Sequence, residues 1–374
     1  MTNICSTSEL GLPLQSLRSV AVLLQPSIRT GPAVGSAAER VAAFPRLRYM
    51  GSKYKVVPFL VDILSRLDFD TALDAFSGSG VVAYALKAMG KQVTTNDFLT
   101  FAATVAKATV ENPGIRLTRS DLERLLEPSL DGRDFIQRTF KGLYFPQSDH
   151  EFLDSVWSHI DTLPIYKRDL AISALCLAAA RKQPRGVFTV TDLRYDDGRR
   201  FLRAPLRELF VEAAEAYNGV VIDGGPPCLS LCSDVFKVEP SCFDLVYLDP
   251  PYAPPRDDND YIKRYHFLEG LSVYWRGQTI MEKTLTKKLA KRFTPFAYKR
   301  TIRDALQTVF ERFAASTIVL SYSTNSVPAE DEVISLLRTV KSTVEVYAVE
   351  HRYSFGTHAT AHRRQARELI FVGR

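Results

Sequence analysis

Cysteine is scarce in this chain: Cys5, Cys176, Cys228, Cys232 and Cys242 are the five among 374 residues. An odd, sparse set excludes a disulfide framework and points to a reducing compartment. Cys228, Cys232 and Cys242 lack CxxC spacing, have no fourth cysteine near them, and no histidine lies between Asp192 and Tyr265. No metal site is therefore expected. Long apolar runs are missing as well. The longest stretches, such as Ala171–Ala180, fall well short of the roughly 18 residues of a membrane span. There is no internal repeat. Residues 1–44 lack a long periodic pattern and have few acids beside Arg18, Arg29 and Arg40. That faintly resembles a transit peptide, but no apolar core precedes a cleavage-like site. The segment is expected to be a flexible extension.

What is present is ordinary in amount and uneven in placement. Hydrophobic residues make up 46% and charged residues 24%, as in a soluble globular protein of about two domains. Lys and Arg number 48 against 42 Asp and Glu, a net charge of +6. Spread evenly, that charge would mean only solubility. It is clustered. Lys283, Lys287, Lys288, Lys291, Arg292, Lys299 and Arg300 lie between Arg276 and Arg303 with Glu282 as the one acid. A second run spans Arg181, Lys182 and Arg185 to Arg207, and a third holds Arg352, Arg363, Arg364 and Arg367. Tyr261, Tyr265, His266, Phe293, Phe296 and Tyr298 are interleaved with these runs. Basic runs with aromatics point toward nucleic acid.

The order of elements is legible from about Arg46. Apolar residues at Val56, Phe59, Leu60, Ile63, Leu64 and Leu67 predict a helix. Thr71–Phe76 reads as a strand, Ser77–Gly80 as a tight turn, Val81–Met89 as a helix closed by Gly90, and Lys91–Thr95 as a second strand. This is a βαβ unit and implies a parallel sheet. Residues 112–217 read as mostly helical, interrupted by a strand at Phe188–Thr191. Phe243–Leu248, Ser316–Ser321, Val344–Val349 and Glu368–Val372 read as later strands. The expected fold is α/β, with a helical insertion between two halves of one sheet.

Gly78-x-Gly80-x-x-Ala83, followed by Asp97 about 20 residues on, matches a dinucleotide fingerprint. The glycines let the backbone approach a ligand, and Asp97 would bind two ribose hydroxyls. Taken alone, this suits a nicotinamide or flavin enzyme as well as an S-adenosylmethionine (AdoMet) enzyme. Asp74 separates the two. A carboxylate just ahead of the turn suits the ammonium of a methionine group and would repel a pyrophosphate.

Asp249-Pro250-Pro251-Tyr252 follows an apolar strand, at the edge of the sheet where α/β proteins bind ligands. An exocyclic amine on a base is a poor nucleophile, because its lone pair is delocalised into the ring. The Asp249 carboxylate and the Pro250 carbonyl can accept its hydrogens and localise that lone pair. Pro250 and Pro251 stiffen the geometry. Tyr252 offers a ring to stack on a base taken out of the duplex.

With these motifs the sequence resembles the Dam-type, alpha-class DNA adenine-N6 methyltransferases. The likeness is carried by Arg48-Tyr49-Met50-Gly51-Ser52-Lys53, Asp74-Ala75-Phe76-Ser77-Gly78-Ser79-Gly80, Asn96-Asp97-Phe98 and Asp249-Pro250-Pro251-Tyr252. It spans Arg46 to Arg374. It implies a Rossmann-like AdoMet-dependent sheet over residues 45–111 and 218–374, with 112–217 as an inserted target-recognition domain. It also implies that Tyr49 and Lys53 line the methionine end of the AdoMet pocket, with Phe76, Gly78 and Gly80 beside them. Asp74 would hold the ammonium, Asp97 the ribose hydroxyls, Phe98 the adenine face and Asp234 the adenine amine. Asp249 would sit beside both cofactor and target amine, with no metal. The stretch Arg181–Gly186 is a candidate for DNA contact.

The implied partner is double-stranded DNA, with a restriction endonuclease as functional companion or none, and no membrane. The implied state is a monomeric, cytoplasmic enzyme acting at the bacterial nucleoid. Two departures stand out. Residues 1–44 have no counterpart in the family, and Ile280–Lys299 is longer and more basic than a minimal member needs, as a second DNA-contacting loop would be. Other readings stay open at this point: a cytosine-N4 or RNA guanine amine as target, an oxidoreductase resting on the glycine turn alone, or a DNA-binding protein without catalysis.

Overall fold

The computed structural model describes residues 21–23, 32–189, 198–240, 243–252, 261–351 and 366–374. Among these residues, eight strands form one sheet: β1 (Ala21–Leu23), β2 (Thr71–Asp74), β3 (Gln92–Asp97), β4 (Leu229–Cys232), β5 (Leu245–Leu248), β6 (Thr317–Ser323), β7 (Val344–His351) and β8 (Ala366–Gly373). Their order is β1-β7-β8-β6-β5-β2-β3-β4. Strands β2 to β6 pair in parallel, and β8 runs antiparallel between β6 and β7. β5 is buried at every residue, as a central parallel strand should be. From β2 the chain moves outward one way to β3 and returns on the other side at β5. The carboxyl ends of β2 and β5 therefore flank the point where strand order reverses, and a crevice opens there.

Four helices lead from the start of the described chain through the first βαβ unit. They are α1 (Pro32–Ala43), α2 (Val57–Leu64), α3 (Val81–Ala88) and α4 (Thr100–Ala106), the last running on into a π-helical turn over Lys107–Glu111. The expectation of a flexible extension fails for its last part. α1 packs on α2, α3 and α10 (Leu206–Val220). Val41 is buried, and the Phe44 ring lies 4.5 Å from that of Tyr84. Ala37, Val41 and Phe44 sit at helical spacing, a signal diluted in the sequence by the small residues between them.

The helical texture of 112–217 is observed. α5 (Arg119–Leu125), α6 (Phe135–Thr139), α7 (Gln147–Ile160), α8 (Lys167–Arg181), α9 (Arg200–Arg203) and α10 fill it. α8 is buried from Leu170 to Ala180, which accounts for its apolar run: it is the central helix of its layer, against α4, α10 and α11 (Tyr261–Leu271). These helices share one hydrophobic core with the helices on the sheet. The strand expected at Phe188–Thr191 is not found in its described part. Phe188 and Thr189 lie in a bend, with the Phe188 ring stacked 4.7 Å from Phe267, while Val190 and Thr191 fall outside the described residues. On the opposite face of the sheet, α12 (Ile302–Arg312) and α13 (Glu330–Arg338) cover a second core that includes Val246, Leu248, Ile318 and Leu320. No helix among the described residues is long and apolar enough to cross a membrane.

β4 was not legible in the sequence. Its burial is shallow, and Leu229-Ser230-Leu231-Cys232 is too short to show alternation. It sits at the sheet edge beyond β3 and places Asp234 next to the crevice.

Candidate active site

The first wall of the crevice is the turn after β2. Backbone bonds from Ala75 to the Tyr247 carbonyl (3.0 Å) and from Ser77 to the Asn96 carbonyl (2.9 Å) carry the chain past the strand end. Gly78 and Gly80 then take left-handed conformations, φ +49° and +79°. A Cβ on Gly78 would lie 2.8 Å from the Tyr49 ring, so the glycine is needed both for its conformation and for that ring. Asp97, at the end of β3, accepts from the Gly78 N–H (2.8 Å) with one oxygen and from the Leu99 N–H (2.9 Å) with the other. It braces the turn from below and still has lone pairs to offer a ligand. Burial pushes its carboxyl up to about 6, against the pull of those backbone donors.

Asp74 accepts from the Ala83 N–H at 3.1 Å with one oxygen. Its other oxygen is buried with no hydrogen-bond partner, as are Ser77 Oγ and Asn96 Oδ1 nearby. Burial, then the neighbouring Asp249 and Asp97, push the Asp74 carboxyl up to about 8. Orphaned buried acceptors are costly and rare. A row of them along a crevice fits a polar, cationic ligand group there.

The second wall is the end of β5, with Asp249, Pro250, Pro251 and Tyr252. The Lys53 ammonium lies 2.7 Å from Asp249 Oδ1 and 3.3 Å from Glu368 Oε1. The Tyr252 hydroxyl donates to Asp249 Oδ1 (2.7 Å), with Glu368 Oε1 3.1 Å away. Burial raises the Asp249 carboxyl, and Lys53 opposes that rise. For Lys53 itself burial acts downward, and the two carboxylates outweigh it, so its ammonium is held above the ordinary range. The Tyr252 ring packs edge-on against Tyr322, with centroids 5.2 Å apart.

Tyr49 and Lys53 come from the loop ahead of α2, and α11 fixes that loop. The Tyr49 ring stacks on Tyr265 at 5.0 Å and 6°. The Met50 N–H donates to the Tyr265 hydroxyl (2.7 Å), and the Tyr261 hydroxyl donates to the Met50 carbonyl (3.3 Å). Tyr49, Lys53, Asp74, Phe76, Gly78, Asp97, Phe98 and Asp249 to Tyr252 all line one compartment, and Gly80 opens α3 directly behind it. Phe76, Phe98 and Thr294 also line an adjoining compartment with Asp234, Arg292 and Phe296. There Asp234 accepts from the Phe236 N–H at 3.1 Å, capping a short turn at the compartment wall. Phe296 packs edge-on to Phe76 and stacks on Phe236, with centroids 5.1 and 5.6 Å away.

Several basic and aromatic residues turn out to have internal roles. Lys182 and Gln183, expected at a DNA surface, are buried. Lys182 pairs with Asp149 at 2.5 Å and donates to the Ala204 carbonyl, and Gln183 donates to the Tyr144 carbonyl. Tyr265, His266 and Phe296 are also buried, so they are core rather than surface aromatics. Arg292 pairs with the fully buried Glu269, which accepts from the first N–H groups of α4, and donates to the Phe98 carbonyl (3.1 Å). Arg352, Arg363 and Arg364, like Cys242, lie outside the described residues.

The site also holds residues that sequence reasoning missed. Glu368 gave no signal beyond being an acid in an apolar strand. Glu269 likewise stands among apolar residues of a helix. An acid flanked by buried positions was the available cue in both cases. Among the described residues, no group of three or more His, Cys, Asp or Glu side chains is arranged to hold a metal ion.

Residues 49–207 match the family described as D12 class N6 adenine-specific DNA methyltransferase. Relatives include the Type II methyltransferase M.FokI of Planomicrobium okeanokoites, 24% identical over 86% of this chain and 51% of its own length. Modification methylase LlaI of Lactococcus lactis subsp. lactis is 21% identical over 86% of this chain and 54% of its own. Modification methylase StsI of Streptococcus sanguinis is 22% identical over 87% and 51%. The chain spans about half the length of these curated relatives. Its matched segment carries the Tyr49–Lys53 loop, the glycine turn and Asp97, and the family implies AdoMet as methyl donor. Through residues 49–207 the chain is similar to the D12 class of N6 adenine-specific DNA methyltransferases.

Proposed function

We propose that this protein transfers a methyl group from AdoMet to the N6 amine of adenine in double-stranded DNA, at a specific site, as a modification methylase. The observation that carries the reading is the junction of two walls in one crevice. An orphaned Asp74 oxygen sits at the end of β2 and the Asp-Pro-Pro-Tyr motif at the end of β5. AdoMet, when bound, supplies an electrophilic methyl carbon on a sulfonium.

The chain's own groups do the rest. Asp74 takes the ammonium, with Tyr49 and the Gly78 turn shaping the methionine end. Asp97 offers its remaining lone pairs to the ribose, and Phe98 and Phe76 flank the adenine, with Asp234 toward its amine. Asp249 and the Pro250 carbonyl accept the hydrogens of the target amine and free its lone pair for attack. The Lys53 contact fixes the Asp249 carboxylate in one orientation before substrate arrives. Tyr252 turns its ring to the target base, which must leave the duplex to reach this depth. Residues 112–217 and the basic segment 280–299 supply the DNA face. An adenine target is favoured over cytosine because an aspartate heads the motif and the Tyr49–Lys53 loop is in contact with it.

The test is expression in a methylase-free bacterial host, followed by genome-wide mapping of modified bases. N6-methyladenine at one fixed sequence context is the expected result. A genome without modified adenine, or with modified cytosine, would overturn the reading.

A further inference from the structure

Arg292 belongs to a basic run by sequence and to the crevice by position. It lines the adjoining compartment with Phe98, Asp234 and Phe296. Its segment is braced before it arrives there. Ile280 and Leu289 pair across an antiparallel bridge, and the Thr286 carbonyl accepts from the Tyr144 hydroxyl of the helical layer at 2.6 Å. The guanidinium then holds two acceptors with two different nitrogens. One nitrogen meets Glu269 Oε1, and the other donates to the Phe98 carbonyl at 3.1 Å. Its central carbon lies 5.5 Å from the centre of the Phe98 ring, within cation–π range. Glu269 of α11 accepts in turn from the Thr100 N–H and hydroxyl (both 3.0 Å) and from the Phe101 N–H (3.2 Å), at the start of α4. The peptide that joins Phe98 to Leu99 is thereby held at both polar ends: Arg292 takes its carbonyl, and Asp97 Oδ1 accepts from its N–H at 2.9 Å. A buried carboxylate needs a cation, and pairing with Glu269 meets that need. The second bond, to Phe98, is not required for it.

We propose that Arg292 is a positioning residue for the cofactor: through the carbonyl and ring of Phe98 it fixes the wall against which the adenine of AdoMet is held. The proposal rests on the methyl-transfer reading, in which Phe98 flanks that adenine and Asp97 takes the ribose. The segment that carries the exposed lysines of the DNA face then also completes the cofactor site. A planar, five-donor guanidinium suits the task, because it can serve Glu269 and Phe98 at once from one fixed plane, which an ammonium on a flexible stem does not. A wall set before the ligand arrives spares the binding step the entropy of ordering it. The Phe98–Leu99 peptide is set in this way from two sides, by the acid that faces the ribose and by the arginine behind the ring.

The test is Arg292→Lys, which keeps a cation for Glu269 and loses the fork to Phe98. Calorimetry is expected to show AdoMet binding weakened by about tenfold, as for one lost charge-assisted hydrogen bond. 5′-Methylthioadenosine, which has the adenine and ribose without the amino-acid end, should lose affinity by the same factor. Turnover at saturating AdoMet should fall by about threefold at most, because the groups around Asp249 are untouched. DNA affinity, its salt slope and the Tm of the ligand-free protein should stay as in wild type. Wild-type affinity for AdoMet in Arg292→Lys would overturn the proposal and leave Arg292 as the counter-ion of Glu269. So would a salt slope lower by about 1 with AdoMet affinity unchanged, which is what a phosphate contact predicts. AdoMet and DNA affinity falling together with the Tm would overturn it too, as the mark of a packing role. Should Arg292→Lys not fold, Arg292→Met combined with Glu269→Gln removes the cation and the buried charge together. The same loss of AdoMet affinity then supports the proposal, and unchanged affinity overturns it. If the wild-type protein binds no AdoMet, the underlying reading fails, and this result is distinct from a wild type and a variant that bind it equally.

Discussion

The crevice and the basic surface follow different rules. In the crevice, residues as far apart in the chain as Lys53 and Asp249 meet at hydrogen-bond distance, and nearly every motif residue lines one compartment. Along the basic runs, sequence neighbours part company. Lys182 is buried on Asp149 and Arg292 clamps Glu269, while Lys283, Lys299 and Arg300 are exposed. A motif encodes backbone geometry as well as chemistry, so its residues have few places to go. A charge run encodes only the charge, and the fold decides which members are spent internally.

The sharpest test of this contrast is at Asp249. Asp249→Ala should reduce the methylation rate by about a thousandfold, while a filter or gel assay shows DNA binding largely intact. Loss of both together would erase the division between chemistry and DNA face.

Asp74 comes next. Asp74→Asn should weaken AdoMet binding by about 100-fold, as expected for a buried charged hydrogen bond, measured by calorimetry. The same change should stabilise the ligand-free protein. The folded pKa of Asp74 is raised from 3.8 to about 8, so the folded state holds a proton that the unfolded state releases. Stability therefore falls as pH rises from about 4 to about 8, and the deficit is complete above that. Asp74→Asn removes the deficit, and its Tm should exceed that of wild type by roughly 2–5 °C at pH 8.5. Equal Tm values would mean the carboxylate is not penalised by its burial.

A smaller effect separates the two kinds of basic residue. Lys182→Met should cost about 3 kcal/mol of stability, by leaving Asp149 buried without its cation, and denaturant titration would read it. Exposed Lys283→Ala should leave the Tm unchanged and lower the salt slope of DNA binding by about 1. If Lys182→Met left stability intact and instead changed the salt slope, the assignment of Lys182 to the interior would be wrong.

Much of this contrast was legible beforehand. The βαβ unit, the glycine turn and the strand before Asp249 rest on local patterns, and each was found in place. The helices of 112–217 were readable as helices, yet their burial was not, because an all-round apolar helix such as α8 has no face to point with. Glu368 was invisible for a different reason. Its place beside Lys53 depends on the antiparallel insertion of β8 between β6 and β7, a long-range pairing with no local signature. α1 was missed because Ala37, Val41 and Phe44 are the few buried apolar positions described in it and at its end, too few to mark a face in the sequence.

The measurement closest to the central claim uses purified protein, duplex DNA and AdoMet labelled in its methyl group, followed by nucleoside mass spectrometry. The crevice predicts label in N6-methyladenine with wild type and incorporation slower by about a thousandfold with Asp249→Ala. Label in N4-methylcytosine, or undiminished label with Asp249→Ala, would contradict it.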